Sequence, residues 1–166
     1  TDLFIAAPGE TGSKILSASN NNNESAKSFS ISVADGNYIS RPAFEKQMLE
    51  LLNKERTKRG IRPLVYDSSL ANVARRHAAD MLQRGYFSHN TPESKTPFDR
   101  LHQAGIRYRY AGENLAFAPS VLKAHEELML SPGHKANILS KKYNKAGIAI
   151  LENTSHQLMI AQEFKD

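Results

Sequence analysis

Three short fragments of this chain carry the side chains best suited to chemistry. They are Tyr86-Phe87-Ser88-His89-Asn90, Ala111-Gly112-Glu113-Asn114-Leu115 and Ser131-Pro132-Gly133-His134. His89, Glu113 and His134 together offer two imidazoles and one carboxylate, a donor set that can hold zinc with one coordination position left open. Glu113 and His134 are also the candidates for proton transfer, because both side chains can act as general bases.

The position of His134 follows from the two residues at the start of its fragment. Ser131 followed by Pro132 is typical of a helix cap and a first helical position, so we expect His134 in the first turn. The partial positive charge of a helix N-terminus disfavours an imidazolium, which favours a neutral ring able to bind a metal or accept a proton. The alternative is that His134 only takes part in capping.

His89 and Glu113 are each placed beside a predicted turn. His89 lies on a loop after the helix that ends at Gly85, and such loops often carry binding residues. Glu113 follows Gly112, directly after a predicted strand at 106–110, so we expect a sharp turn that aims the carboxylate back over the sheet. Neither fragment alone distinguishes a site from an ordinary loop.

The other four histidines are interpreted as background. His77 falls on the apolar stripe of a helix and is expected to be a hydrogen-bonded core residue. His102 and His125 are placed within helices, and His156 lies in a polar turn between two strands. The zinc motif His-Glu-x-x-His is excluded at His125, because the residue four positions later is Met129.

Start and stop signals predict five helices, followed late in the chain by strands. The first predicted helix begins at Ser40-Arg41-Pro42 and ends near Gly60, and the second runs from Asp67-Ser68 to Gly85. The third runs from Thr96-Pro97 to Gly105, the fourth from Pro119 or Ser120 to Leu130, and the fifth from Ser131-Pro132 to Leu139. Strands are predicted at 106–110, 146–151 and 158–164, the last two as an antiparallel hairpin. The pattern indicates an α+β fold with helices packed on a small sheet.

Residues 1–40 differ in composition from residues 41–166. They are small and polar and include the run Asn20 to Asn23, so we predict a flexible N-terminal tether followed by one folded domain. Two pieces of the tether could become ordered: the apolar patch at 3–5 and the alternating segment at 29–33, which a turn at 35–37 would close. Because the chain starts at Thr1 without a leader, we expect a processed or trimmed form from which any targeting signal has been removed.

Composition narrows the classes of partner. The formal net charge is +5, and the chain has no Cys and no Trp, with only 8% aromatic residues. Disulfides and thiolate catalysis are therefore excluded, nucleic-acid stacking is disfavoured, and no apolar run approaches the ~20 residues of a membrane span. Basic residues come close to clustering only at Lys141-Lys142 with Lys145 and at Arg107 with Arg109. A solvated basic surface is favoured over a dedicated anion site.

Several motifs occur together in one order. They are Leu51-Leu52-Asn53-Lys54-Glu55-Arg56, Pro63-Leu64, Ala74 to Met81, Gly85 to His89, Gly112 to Ala116, Ser131 to Leu139, Gly147-Ile148-Ala149 and Gln162-Glu163-Phe164. This series resembles the CAP superfamily (cysteine-rich secretory proteins, antigen 5, pathogenesis-related 1), also called the SCP domain. The Cys-free sequence with its Ser-Pro-Gly-His fragment resembles the bacterial branch of the superfamily. The resemblance covers about residues 43–166.

The resemblance implies a three-layer α-β-α sandwich with a small, mainly antiparallel sheet. It also implies secretion or display at the cell surface, with anchoring through a removed N-terminal signal or a lipidated residue. Family members have a central cleft where two His and two Glu converge and, in some members, hold zinc or another divalent cation. In this chain His89, His134 and Glu113 match three of those positions, and Asn114 adjoins the cleft.

The fourth position departs from the family pattern. Ser131 stands where the second glutamate is expected, and Leu128 stands where the family has Trp. Glu127, one turn earlier on the same helix face, could reach the cleft only through a water. A site with His89, His134 and Glu113 would have three protein ligands, and only two if Glu113 holds a metal-bound water.

The sequence is compatible with three functions, of which one is favoured. The leading hypothesis is a ligand- or partner-binding module that requires no metal, a monomer or weak dimer whose partner is a lipid, an envelope polymer or a host molecule. The alternative is a metal-dependent hydrolase in which zinc activates water and Glu113 acts as general base. A structural adhesion module with a vestigial cleft is the third possibility.

Overall fold

The computed structural model describes residues 4–6 and 37–166, and the descriptions below refer to those residues. Five helices and six strands are assigned within them. The helices are α1 (Pro42–Thr57), α2 (Ser68–Arg84), α3 (Pro97–Gln103), α4 (Val121–Leu130) and α5 (Pro132–Ile138). The strands are β1 (Phe4–Ala6), β2 (Tyr38–Ser40), β3 (Val65–Tyr66), β4 (Ala111–Ala118), β5 (Lys145–Asn153) and β6 (Leu158–Lys165).

The predicted helix boundaries are largely confirmed. The side chain of Asp67 accepts hydrogen bonds from the first turn of α2, and Gly85 ends that helix in a left-handed conformation (φ +67°). Thr96 and Asp99 form the predicted capping box of α3. At α1 the cap position is Arg41 rather than Ser40, and no side chain caps the helix, because the arginine side chain has no acceptor to offer the first N–H groups.

The six strands form one mixed sheet, with the order β1-β4-β6-β5-β2 and with β3 beside β5. Five pairs of neighbouring strands are hydrogen-bonded to each other, and of these only the pair of β3 with β5 is parallel. The predicted hairpin is formed by β5 and β6, which pair along their length from Lys145↔Lys165 to Glu152↔Leu158.

Helices cover both faces of the sheet. On one face α2 packs against β4, β5 and β6 through Ala74, Ala78, Met81, Leu115, Ala149, Leu151, Met159 and Ala161. On the other face α1, α4 and α5 pack through Met48, Leu52, Val121, Ala124, Leu128, Ile138, Ile148, Ile150, Ile160 and Phe164. Alternate residues of each strand thus enter opposite cores. This arrangement is the predicted three-layer α-β-α sandwich.

A buried arginine ties α1 to the chain that follows α5. Arg56 is 1% exposed, and its guanidinium donates to the carbonyls of Arg62, Ile138, Ser140 and Tyr143 at 2.7–3.0 Å. These carbonyls lie at the end of α5 and in loops, where regular secondary structure does not supply their hydrogen bonds. The contact holds α5, which carries His134, in place against the domain.

The strand predicted at 106–110 is wrong. Residues 106–110 form a loop, and the strand is β4, which begins at Ala111. The alternation at 106–110 reflects packing of the loop, because Ile106 and Tyr108 pack on the small core of Leu70, Val73 and Leu101. Glu113 therefore lies within a strand, and the expected turn at Gly112 is also wrong.

Two pieces of residues 1–40 belong to the sheet. β1, which overlaps the apolar patch at 3–5, pairs antiparallel with β4, with Ala6 opposite Glu113, and β2 pairs antiparallel with β5. The strand-like segment at 29–33 and most of the turn at 35–37 lie outside the described residues. No helix in the described part of the chain is long and apolar enough to cross a membrane.

Candidate functional site

The candidate site is centred on Glu113, in the middle of the sheet. Its carboxylate is fully buried, and His89 and Arg100 contact it from two different segments. Nδ1 of His89 lies 2.6 Å from Oε1, and Nη2 of Arg100 donates to Oε2 at 2.5 Å. Because an ionised carboxylate can only accept, Nδ1 of His89 carries the proton in this contact. The predicted proximity of His89 and Glu113 is thus observed.

Arg100 positions both partners of this contact. Besides Glu113, its Nη1 donates to the backbone carbonyl of His89 at 2.7 Å, so one guanidinium holds the loop and the strand together. Arg100 lies in α3, directly after the capping box of Thr96 and Asp99. The cap fixes the start of the helix and thereby the origin of the Arg100 side chain.

A second carboxyl group lies beside Glu113 on the neighbouring strand. Glu163 of β6 is the register partner of Glu113 and is also fully buried. Neither of its carboxyl oxygens makes a well-aligned hydrogen bond with a described residue, although the charge of Glu113 is near enough to affect its protonation. We refer to His89, Arg100, Glu113 and Glu163 as the carboxylate cluster.

The two carboxyl groups are pushed to opposite protonation states. Burial and the negative charge of Glu113 raise the pKa of Glu163 well above its ordinary value. Burial also acts to raise the pKa of Glu113, but the charge of Arg100 and the hydrogen bond from His89 act against burial, and the pKa of Glu113 is lowered. The fold therefore favours the ionised form of Glu113 and disfavours the ionised form of Glu163.

His77 supports the cluster from α2. It is 1% exposed, and its Nε2 lies 2.9 Å from the backbone carbonyl of Ser88, the residue before His89. Burial lowers the pKa of His77, which favours the neutral ring with Nε2 as donor. The predicted role as a hydrogen-bonded core residue is confirmed, and this bond fixes the loop that carries His89.

His134 is tied to β4 by a separate polar network. Asn114 donates through Nδ2 to the His134 carbonyl at 3.2 Å and to Gln162 Oε1 at 3.1 Å. Asn137 of α5 donates to Asn114 Oδ1 at 2.9 Å and to the Glu113 carbonyl at 3.3 Å. Asn114, predicted to adjoin the cleft, is thus a link between α5 and the strand that carries Glu113.

Ser131 and His134 interact with each other. The Ser131 hydroxyl lies 2.7 Å from His134 Nδ1 and makes no hydrogen bond to the backbone of the helix that it precedes. Ser131 occupies the cap position as predicted, but its side chain orients the ring of His134 instead. Glu127, the alternative carboxylate, lies 3.4 Å from Lys123 Nζ.

Comparison with known proteins decides the family. The model of the cysteine-rich secretory protein family, CAP, matches residues 49–164 of the chain. The chain belongs to this family. The match contains all three fragments that carry His89, Glu113 and His134, together with Arg100 and Glu163.

Bacterial proteins are similar to this CAP domain. The uncharacterized protein YkwD of Bacillus subtilis is 39% identical over 117 residues, which cover 68% of this chain and 44% of that protein. The uncharacterized membrane protein YlbC of the same organism is 34% identical over 110 residues, which cover 64% of this chain and 31% of that protein. The chain thus spans less than half the length of either relative.

Solved structures agree with the fold. An extracellular protein of Bacillus anthracis that contains an SCP domain superposes with a TM-score of 0.69 at 28% identity, covering 75% of this chain and 40% of that chain. An outer surface protein of Borrelia burgdorferi superposes with a TM-score of 0.74 at 21% identity, covering 79% of this chain and 98% of that chain. The second likeness shows the fold alone.

The described residues of this CAP domain do not fit a three-ligand metal centre. No group of three His, Asp or Glu side chains among them is arranged to hold a metal ion. Both oxygens of Glu113 are engaged, one by His89 and one by the guanidinium of Arg100. A cation beside the carboxylate opposes the binding of a second, divalent one.

Sequence reasoning missed two members of the cluster. Glu163 belongs to the motif Gln162-Glu163-Phe164, and its position within the apolar run of β6 is the signal that could have identified it, since acids are almost never fully buried unless they are paired. Arg100 had no comparable signal, because its role depends on the distance between α3 and β4.

Proposed function

We propose that this chain is a CAP domain presented outside the cell that binds a ligand or partner without catalysis and without a required metal. The bacterial extracellular protein with an SCP domain supports the location. The candidate partners are an envelope polymer, a host molecule or a lipid. The observation that carries the proposal is a cavity lined by Arg100, a member of the carboxylate cluster, and by His77, which supports the cluster from α2.

This cavity has a polar, basic lining. It measures about 280 Å³ and lies between α2, α3 and the loop at 91–95. Its charged lining residues are Arg76, Asp80, Arg84, Glu93, Lys95 and Arg100. Arg84 pairs with Asp80 and Glu93, so Arg76 and Lys95 leave the mouth with positive character. A polar, anionic group of about the size of one sugar suits this space better than an acyl chain.

The state of Glu113 favours binding over hydrolysis. A general base works best with a pKa near the operating pH, whereas Arg100 and its other neighbours hold the pKa of Glu113 below its ordinary value. The carboxylate is also engaged at both oxygens. We infer that Glu113 organises the wall of the cavity through Arg100 and His89.

Ligand binding is tested with the full chain and a soluble digest of bacterial cell wall. A ligand that binds only the folded protein raises its melting temperature, so we expect a rise with the digest and a bound species in native mass spectra. In the variant Arg76→Ala/Lys95→Ala the digest should raise the melting temperature by less than half as much, because both side chains line the cavity.

The control variant removes two exposed lysines of α1, Lys46→Ala/Lys54→Ala, and should respond as the unchanged protein does. Release of a small product from the digest by the unchanged protein, lost in Glu113→Gln, would contradict the non-catalytic proposal. Equal melting shifts in both double variants would contradict the assignment of the cavity.

A further inference from the structure

Basic residues that are far apart in the sequence meet at one end of the sheet. Lys145 begins β5 and pairs in register with Lys165 at the end of β6, which in turn pairs with Ala111 at the start of β4. Arg107 and Arg109 immediately precede β4, and the carbonyl of Arg107 accepts from Lys165 Nζ at 2.5 Å. The two half-clusters noted in the sequence therefore share one surface.

Lys141 and Lys142 extend this surface from the loop after α5. Lys142 Nζ lies 4.6 Å from the centre of the Tyr110 ring, which places the lysine over the segment that carries Arg107 and Arg109. We name the six residues the basic end: Arg107, Arg109, Lys141, Lys142, Lys145 and Lys165. All are exposed except Lys165, which is half-buried.

Few acids balance the basic end. Of the described carboxylates, Asp67 lies 3.5 Å from Lys145 Nζ, and Asp166 accepts from the backbone N–H groups of Arg109 and Tyr110. Two lysines directly opposite on neighbouring strands repel each other, as Lys145 and Lys165 do here. An anionic partner would relieve that repulsion.

An apolar strip continues the same row. β3 pairs with β5 so that Val65 is opposite Lys145, and Val65 and Tyr66 are 64% and 50% exposed. They are two of the five large apolar side chains that stand out as exposed in the described part of the chain. Strands lie about 4.8 Å apart, so the row from β4 to β3 spans roughly 14 Å.

We propose that the basic end, with Val65 and Tyr66, docks the domain on a surface of anionic lipid headgroups. Lysine and arginine are attracted to such a surface, and tyrosine prefers the boundary between headgroups and acyl chains. A soluble polyanion would use the charges but would gain nothing from exposed Val65 and Tyr66. The six charges and the apolar strip lie at one end of the sheet and can therefore face one plane.

The test measures co-sedimentation of the full chain with vesicles. We expect binding to phosphatidylcholine vesicles that contain one-third phosphatidylglycerol, little binding to phosphatidylcholine alone, and loss of binding at high salt. Each basic side chain removed should weaken the partition about fivefold. The variant Arg109→Ser/Lys141→Ser/Lys142→Ser should therefore bind about 100-fold more weakly, while keeping its melting temperature because the three side chains are exposed.

Two further variants separate the sources of binding. Lys46→Ser/Lys54→Ser/Lys123→Ser removes the same charge elsewhere and should bind nearly as well as the unchanged protein. Val65→Ser/Tyr66→Ser should weaken binding to vesicles and leave binding to soluble polyphosphate unchanged. Equal losses in the two triple variants, binding to polyphosphate without binding to vesicles, or no effect of the apolar variant would each overturn the proposal.

Discussion

Glu113 and Glu163 are chemically identical side chains whose pKa values the fold shifts in opposite directions. Both are fully buried on neighbouring strands, but only Glu113 has the hydrogen bonds of His89 and Arg100. One guanidinium stabilises one charge, and that charge together with burial raises the pKa of the second carboxyl group. The same side chain therefore has a lowered pKa at position 113 and a raised pKa at position 163.

The raised pKa of Glu163 predicts an unusual pH dependence of stability. A carboxyl whose pKa is raised on folding destabilises the folded protein as pH rises from the unfolded value, about 4.3, towards the folded one, by about 1.4 kcal/mol per pH unit. Glu163→Gln removes that term and retains the shape of the neutral acid. We expect the variant to match the unchanged protein near pH 4 and to become progressively more stable than it at higher pH.

Urea unfolding of both proteins between acid and mildly alkaline pH checks this prediction. Glu50→Gln, on an exposed face of α1, is the matched control and should give a curve parallel to that of the unchanged protein. A Glu163→Gln variant whose loss of stability grows as pH rises above about 4 would mean that Glu163 is ionised and favourably paired, and a loss that is the same at every pH would mean that folding leaves the pKa of Glu163 unshifted.

At the scale of elements, the decisive contact is between α2 and β5. A Cβ placed on Gly147 would lie 2.1 Å from the backbone N of Ala71 and 2.3 Å from the backbone C of Leu70. The first turn of α2 thus rests directly on the strand, and only glycine allows this approach. The contact sets the height of α2, and with it the position of His77 behind the carboxylate cluster.

Gly147→Ala should therefore be strongly destabilising. We expect a loss of about 3 kcal/mol or more, at the upper end for overpacking, because backbone atoms cannot move aside as side chains do. Gly60→Ala is the control, since its Cβ would meet nothing within 4 Å and only its φ of +66° is unfavourable, at a cost of about 1 kcal/mol. Urea midpoints compare the two, and equal losses would contradict the proposed contact.

Helices were predictable here and strands were less so, for physical reasons. Caps such as Asp67 and Thr96 act on the N–H groups of their own helix, so their signal is local in sequence. β4 contains Gly112, Glu113 and Asn114, residue types depleted in strands, and it forms because β1 and β6 pair with it. That pairing is a long-range property.

The same distinction applies to the whole molecule. The order of motifs indicated the CAP family and the three-layer sandwich, and it placed His89 and Glu113 at one site. It did not indicate Arg100 or Glu163, because their roles arise from the spacing of α3 and the register of β6. The basic end likewise depends on three chain segments meeting at one end of the sheet.

The central claim is that Glu113 serves an ion pair with Arg100 rather than a metal. Calorimetric titration of the full chain with zinc, together with melting curves, tests it most directly. We expect no saturable one-to-one binding and no rise in melting temperature. One-to-one binding that is lost in His89→Ala but kept in His102→Ala/His156→Ala, which removes two exposed histidines, would contradict the claim.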